Sequence, residues 1–105
     1  MPTSVHAGVY TAVLHYLQAV KKAGTDDGPK VAAMMRATPI NDFMTRNGRI
    51  RTDGDVDRER YVFEVKKPQE SKGAYDDYKL VKTFAPTDTT FPLSNSTCLL
   101  VTAKK

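Results

Sequence analysis

The segment TSVHAGVYTAVLHYLQAVKKAG, residues 3–24, constrains this chain more than any other stretch. Val5, Val9, Val13, Leu14, Leu17 and Val20 recur at helical spacing, and Ala7, Tyr10, Ala12, Tyr16 and Ala19 widen the apolar character well beyond a single stripe. A helix of this kind requires burial on more than one side. With 105 residues the chain is one domain at most, enough for a modest two-layer core. The cover for the helix is therefore the central question the sequence poses.

Local signals divide the chain into a helical hairpin over about 4–37, a β region over about 48–85 and a tail over 86–105, read together as a single unit 1–105. Ser4 is placed to cap the first helix, Lys21 and Lys22 suit the negative end of its dipole, and Gly24 stops it. After the linker Thr25–Gly28, Pro29 sits where a first helical turn tolerates proline. A second helix then runs through Val31, Ala32, Met34 and Met35 and ends before Pro39, which disfavours helical geometry at Thr38. Residues 49–52 are extended, and Asp53-Gly54 predicts a two-residue type I′ connection. In RYVFEVKK, Tyr61, Phe63 and Val65 alternate with Val62, Glu64 and Lys66, the period of a half-buried strand. Tyr78, Leu80 and Phe84 mark a further strand, and in the tail only Cys98 to Val101 has the character of a buried extended segment. The expected class is α+β: two N-terminal helices, then an antiparallel β-hairpin or three-stranded meander, then an irregular C-terminal tail.

Composition excludes several functions. The net charge is +4, but the sixteen Lys and Arg are interspersed with twelve acids and form no basic stripe with interleaved aromatics, so no nucleic-acid partner is expected. No run approaches the roughly 18 apolar residues of a membrane helix. The opening Met-Pro-Thr-Ser lacks the features of an export signal, so the chain as written reads as cytoplasmic. The lone Cys98 gives neither an intrachain disulfide nor a metal-binding spacing.

Candidate chemistry is sparse. His6 and His15 lie nine residues apart, about 180° out of phase on one helix, and cannot share a ligand. Asp53, Asp55, Asp57 and Glu64 follow the spacing of a calcium loop, but Arg58 stands where the loop needs glycine and Glu64 falls in a strand, which favours a solvated hairpin tip. Ser94, Ser96 and Cys98 have no connected base and orienting acid, and Met34, Met35 and Met44 read as core filler. The expectation is no catalytic residue, no metal and no cofactor.

Three strings nevertheless carry a family likeness: SVHAGVYTAVLHYLQAVKKAG, NGRIRTDGDVDRERYVFEVKKPQESKGAYDDYKL and FPLSNSTCLLV. Together they resemble the C-terminal portion of the type I periplasmic substrate-binding proteins of ABC transporters, in the branched-chain amino-acid (Leu/Ile/Val) branch. The resemblance implies a fragment of a two-lobe Rossmann-like α/β protein that clamps its ligand in a cleft, works with an ABC permease and is exported to the periplasm. It also implies that the first helix packs on a sheet supplied by sequence outside these residues. By the same resemblance, the N-terminal end of that helix points toward the cleft. This makes His6 and Tyr10 candidate ligand-binding residues, with a plain first-turn helical role the alternative for His6. Two functions follow. One is a solute-binding portion related to uptake of branched-chain amino acids or similar small amides and carboxylates, not ligand-competent alone. The other is a self-associating module, a homo-oligomer held together by its uncovered apolar faces.

Overall fold

The computed structural model describes residues 2–102; Met1 and the last three residues of the tail, 103–105, lie outside them. The first helix, α1, spans Ser4–Ala23, and Thr3 rather than Ser4 is its N-cap. The reason is His6, whose Nδ1 accepts from the Thr3 N–H at 3.1 Å and lies 2.9 Å from the Thr3 hydroxyl. The imidazole thus takes the place usually filled by Glu in a reciprocal cap. At the other end Gly24 adopts the left-handed conformation, φ 64°, and its N–H reaches the Val20 carbonyl at 2.9 Å.

The second helix, α2, spans Gly28–Ala37, with Asp27 accepting the Lys30 N–H at 3.2 Å and Pro29 in its first turn. It ends at Thr38, held extended ahead of Pro39. α2 packs on α1; the residues α1 buries are Thr11, His15 and Ala19, of which His15 reaches the Met35 carbonyl of α2 and Thr11 lies beside Asp42 of the following loop, while Val31 is the buried residue of α2. The stripe α1 buries is small and polar. The apolar stripe of α1 lies on the opposite side, where Val5, Val9, Val13, Tyr16 and Leu17 remain exposed.

Between the helices and the β region, residues 38–48 form a closed loop. Ile40 and Gly48 pair through two backbone hydrogen bonds of 2.7 and 3.0 Å. Asp42 Oδ1 accepts the N–H groups of Met44 and Thr45, each at 2.8 Å. Ile40 and Thr45 are buried, and a β-carbon at Gly48 would overlap the Thr45 methyl and come within 3.3 Å of Ile40 Cβ.

Among the described residues four strands form two separate antiparallel pairs, so the hairpin alternative is realised there and the three-stranded meander is not. β1 (Arg49–Ile50) pairs with β2 (Val56–Asp57). Their turn is not type I′. Gly54 alone has positive φ, at 90°, the Arg51 carbonyl accepts the Gly54 N–H, and the Arg51 N–H donates to the Asp55 carbonyl. That pattern is a three-residue loop closing on a left-handed glycine. β3 (Arg60–Val65) pairs with β4 (Tyr78–Phe84), with a register shift at Val62/Phe63 that leaves Val81 as the extra residue. Tyr61, Phe63 and Val65 do share a face, joined by Tyr78 and Leu80. Only Tyr61 is half-buried; the rest are exposed, because a two-stranded sheet has no second layer here to lie on.

The loop 66–77 is pinned by a Lys66–Asp76 ion pair at 2.6 Å and by the Lys72 N–H on Asp76 Oδ2 at 3.0 Å. The described part of the tail holds two short α-helices, α3 (Pro86–Thr89) and α4 (Leu99–Thr102), with a 3-10 turn at Leu93–Asn95 between them. Cys98 to Val101 is therefore not a buried strand: the Cys98 carbonyl accepts from Val101 and Thr102, and Leu99 and Leu100 are exposed. Arg51 ties the tail to the hairpin, its Nη1 donating to the Phe91 carbonyl at 2.9 Å.

Candidate functional site

The two residues named from the sequence stand one turn apart on the same face of α1. His6 spends its Nδ1 on the Thr3 cap, which fixes the ring and leaves Nε2 for another partner. Tyr10 is exposed and packs edge-on against Phe43, with centroids 5.1 Å apart and planes at 66°. Phe43 belongs to the loop 38–48, so the outer face of α1 and that loop meet at an aromatic pair.

Phe43 is also one wall of an open groove of about 460 Å³, completed by Met44, Arg46, Glu59, Tyr61 and Thr83. The Tyr61 hydroxyl donates to Glu59 Oε2 at 3.0 Å, and burial together with the Glu59 charge holds this phenol above the usual tyrosine range. The sequence marked none of the groove's polar members. Thr83 arrives only through the strand register that sets it beside Tyr61, and Arg46 and Glu59 stand out in no local pattern. His6 lies outside this groove. A second open groove, about 390 Å³, runs between α1 and the β1–β2 hairpin, with Gly8 and Ala12 on the helix side and Arg58 and Arg60 on the other.

The acidic run at the hairpin tip is engaged internally. Arg51 holds Asp53 through two nitrogens at 3.2 and 2.7 Å and approaches Asp57 at 3.6 Å. The hydrogen bond from Arg51 keeps the Asp53 carboxyl below the usual range, and Asp53 in turn raises Arg51. Glu64 sits on β3 opposite Lys79, away from that cluster. Among the described residues no group of three or more His, Cys, Asp or Glu is gathered for a metal ion. His15 is separate again: buried 20 residues upstream of Met35, its Nε2 donates to the Met35 carbonyl at 3.0 Å.

A family model described as periplasmic binding protein matches residues 1–74, and the chain belongs to that family. Two solved structures agree with it. A branched chain amino acid ABC transporter periplasmic ligand-binding protein from Burkholderia xenovorans LB400 is 40% identical, with a TM-score of 0.88 over 96% of this chain. A periplasmic binding protein from Burkholderia mallei is 41% identical, with a TM-score of 0.85 over 95% of this chain. The chain spans 27% and 26% of those two proteins, respectively. Comparison with curated proteins gives no match. None of the helices among the described residues is long and apolar enough to cross a membrane.

Proposed function

We propose that this chain is a portion of a periplasmic solute-binding protein that captures branched-chain amino acids, or similar small amides and carboxylates, and delivers them to an ABC permease. The observation that carries the reading is the 40% identity, over nearly the whole chain, to a protein named for branched-chain amino-acid binding. Its chemistry is recognition rather than catalysis. The ligand approaches the N-terminal turns of α1, where His6 Nε2 offers a hydrogen bond and Tyr10 an aromatic wall supported by Phe43. These groups alone do not hold a small zwitterion. Tight small-ligand sites enclose most of the ligand's surface, and both grooves on this chain are open.

Calorimetric titration of the isolated chain with leucine, isoleucine, valine and small amides should show no heat of binding at millimolar ligand. Exchange of residues 2–102 for the matching segment of the Burkholderia xenovorans relative should give a chimaera that binds a branched-chain amino acid, and His6→Ala or Tyr10→Ala within it should weaken binding. Tight binding by the isolated chain, or a folded chimaera blind to the whole panel, would refute the reading.

The exposed stripe Val9, Val13 and Leu17 favours a second property, self-association of the chain when it is alone. A homo-oligomer covers part of this surface at no cost in added sequence.

A further inference from the structure

The β3–β4 ribbon has two outer edges, and among the described residues neither is paired with another strand. An unpaired edge invites a further strand unless something guards it. The β4 edge is guarded: Val81 bulges out of register, and Lys79 and Lys82 set two like charges beside it. The β3 edge is not. β3 carries no extra residue, and its charges are of opposite sign, Arg60 near one end and Glu64 near the other. Both are exposed, and among the described residues neither joins an ion pair.

Backbone geometry shows which groups that edge offers. The Lys66 N–H donates to the Asp77 carbonyl at 2.8 Å, on the β4 side. Inward and outward groups alternate along a strand, so Arg60, Val62 and Glu64 also turn their N–H and C=O toward β4, while Tyr61, Phe63 and Val65 turn theirs outward. Among the described residues these outward groups have no backbone partner. An antiparallel copy of β3 must set outward residues opposite outward residues, which leaves few registers. A two-fold axis at Val62 sets Arg60 opposite Glu64, Tyr61 opposite Phe63 and Val62 opposite itself. An axis at Phe63 would bring Arg60 against Lys66, and one at Tyr61 would leave Glu64 and Val65 facing residues beyond the strand.

We infer that β3 is a pairing edge for the β3 of a second copy, in the register centred on Val62. Each Tyr61–Phe63 pair exchanges both of its N–H···O=C bonds, and the Arg60–Glu64 pairs fall at non-hydrogen-bonded positions, where side chains approach more closely. Opposite charges at both ends fix the register, and they make the strand complementary to itself rather than to an arbitrary extended peptide. The product is a four-stranded antiparallel sheet with Tyr61, Phe63, Val65, Tyr78 and Leu80 of both copies on one face. This contact uses an element separate from the α1 stripe and depends on neither that stripe nor the ligand reading. One short strand makes a small interface, so the pairing needs a higher concentration than association through α1.

The test reads the register. In a Cys98→Ser background, Val62→Cys places a thiol on the proposed axis, where the two Cα atoms are about 4.5 Å apart, inside the range a disulfide spans. Val65→Cys is the control, since its two copies lie about 20 Å apart in this register. With oxidised glutathione and millimolar chain, Val62→Cys should give the covalent dimer at least about tenfold faster than Val65→Cys. Adding Glu64→Arg or Arg60→Glu to Val62→Cys sets like charges opposite one another and should slow cross-linking about tenfold. Mixing these two charge variants should restore the rate, because the heterodimer has both pairs complementary. Equal rates for Val62→Cys and Val65→Cys overturn the inference, as do folded charge variants that cross-link as fast as their parent, or a mixture of them no faster than either alone. Should a charge variant fail to fold, the comparison of Val62→Cys with Val65→Cys decides by itself.

Discussion

Asp42 shows how one carboxylate organises a loop that has no regular structure. Burial raises its carboxyl, but the Thr11 hydroxyl, the Met44 and Thr45 N–H groups and the charge of Arg58 together outweigh this, so it is held below the usual range. The Thr11 hydroxyl of α1 adds to the lowering yet sits outside hydrogen-bond geometry, which leaves Thr11 Oγ1 and Asp42 Oδ2 buried without partners. A depressed carboxyl contributes stability above its unfolded value near 4 and loses it as pH falls through the lower folded value. Thermal unfolding midpoints should therefore decline from about pH 5 toward pH 3, with Asp42→Asn shallower in that window. Asp42→Ala should cost about 1–3 kcal/mol at pH 7 by chemical denaturation, because two buried-loop N–H groups lose their acceptor. Asp53 and Asp76 are depressed as well, but their ion pairs are only part-buried and still open to solvent, and added salt should weaken that part of the slope. His15 plays a comparable structural part. It supplies a donor to Met35, one of the last four α2 carbonyls that the helix itself cannot satisfy, and His15→Leu should destabilise by about 1–3 kcal/mol in the same denaturation assay.

At the scale of elements, both main helices were legible because their boundaries are set by residues within one turn: Gly24, Asp27, Pro29 and Pro39 act locally. The stripe α1 buries was not legible. Hydrophobicity pointed to Val9, Val13 and Leu17, whereas the residues α1 buries are Thr11, His15 and Ala19, and nothing local distinguishes a stripe that is covered from one that is left open. The alternation of β3 was equally readable, and its exposure equally hidden. The turn after β1 was half readable: Gly54 does take a left-handed conformation, but the loop holds three residues because Asp53 keeps negative φ. Gly54→Val should accordingly lower stability by about 1–3 kcal/mol through backbone strain, and an unchanged melting temperature would count against this geometry. Gly48 offers a contrasting case in which space rather than φ is limiting. Gly48→Ala pushes a methyl into Thr45 and should cost about 1–3 kcal/mol on the same measurement. Of the candidate site, the His6–Tyr10 pair came from likeness to the family, while the groove beside Phe43 depends on strand pairing that no local pattern announces.

For the whole molecule, the exposed α1 stripe sets behaviour in isolation. Leaving Val9, Val13 and Leu17 in water forgoes roughly 25 cal/mol per Å² of apolar area, a large loss against the 5–15 kcal/mol stability of an ordinary domain. Sedimentation equilibrium at micromolar concentration should show a dimer or larger species that Leu17→Asp dissociates; a stable wild-type monomer would contradict this. The Arg51 bond to the Phe91 carbonyl gives the tail its link to the hairpin, so Arg51→Ala should hasten proteolytic clipping after residue 85. The molecule measures 54 × 34 × 18 Å, and its short dimension is less than two helix diameters of 10–12 Å. Almost every amide is then within one layer of water. Hydrogen exchange of the dissociated chain should lack the slow class of protons that marks global unfolding, with the α1–α2 contact, the loop around Thr45 and the β3–β4 pair each opening on its own schedule. Heat should accordingly melt this slab over a broader range than it melts a compact domain of the same length, with a midpoint that still ranks the variants.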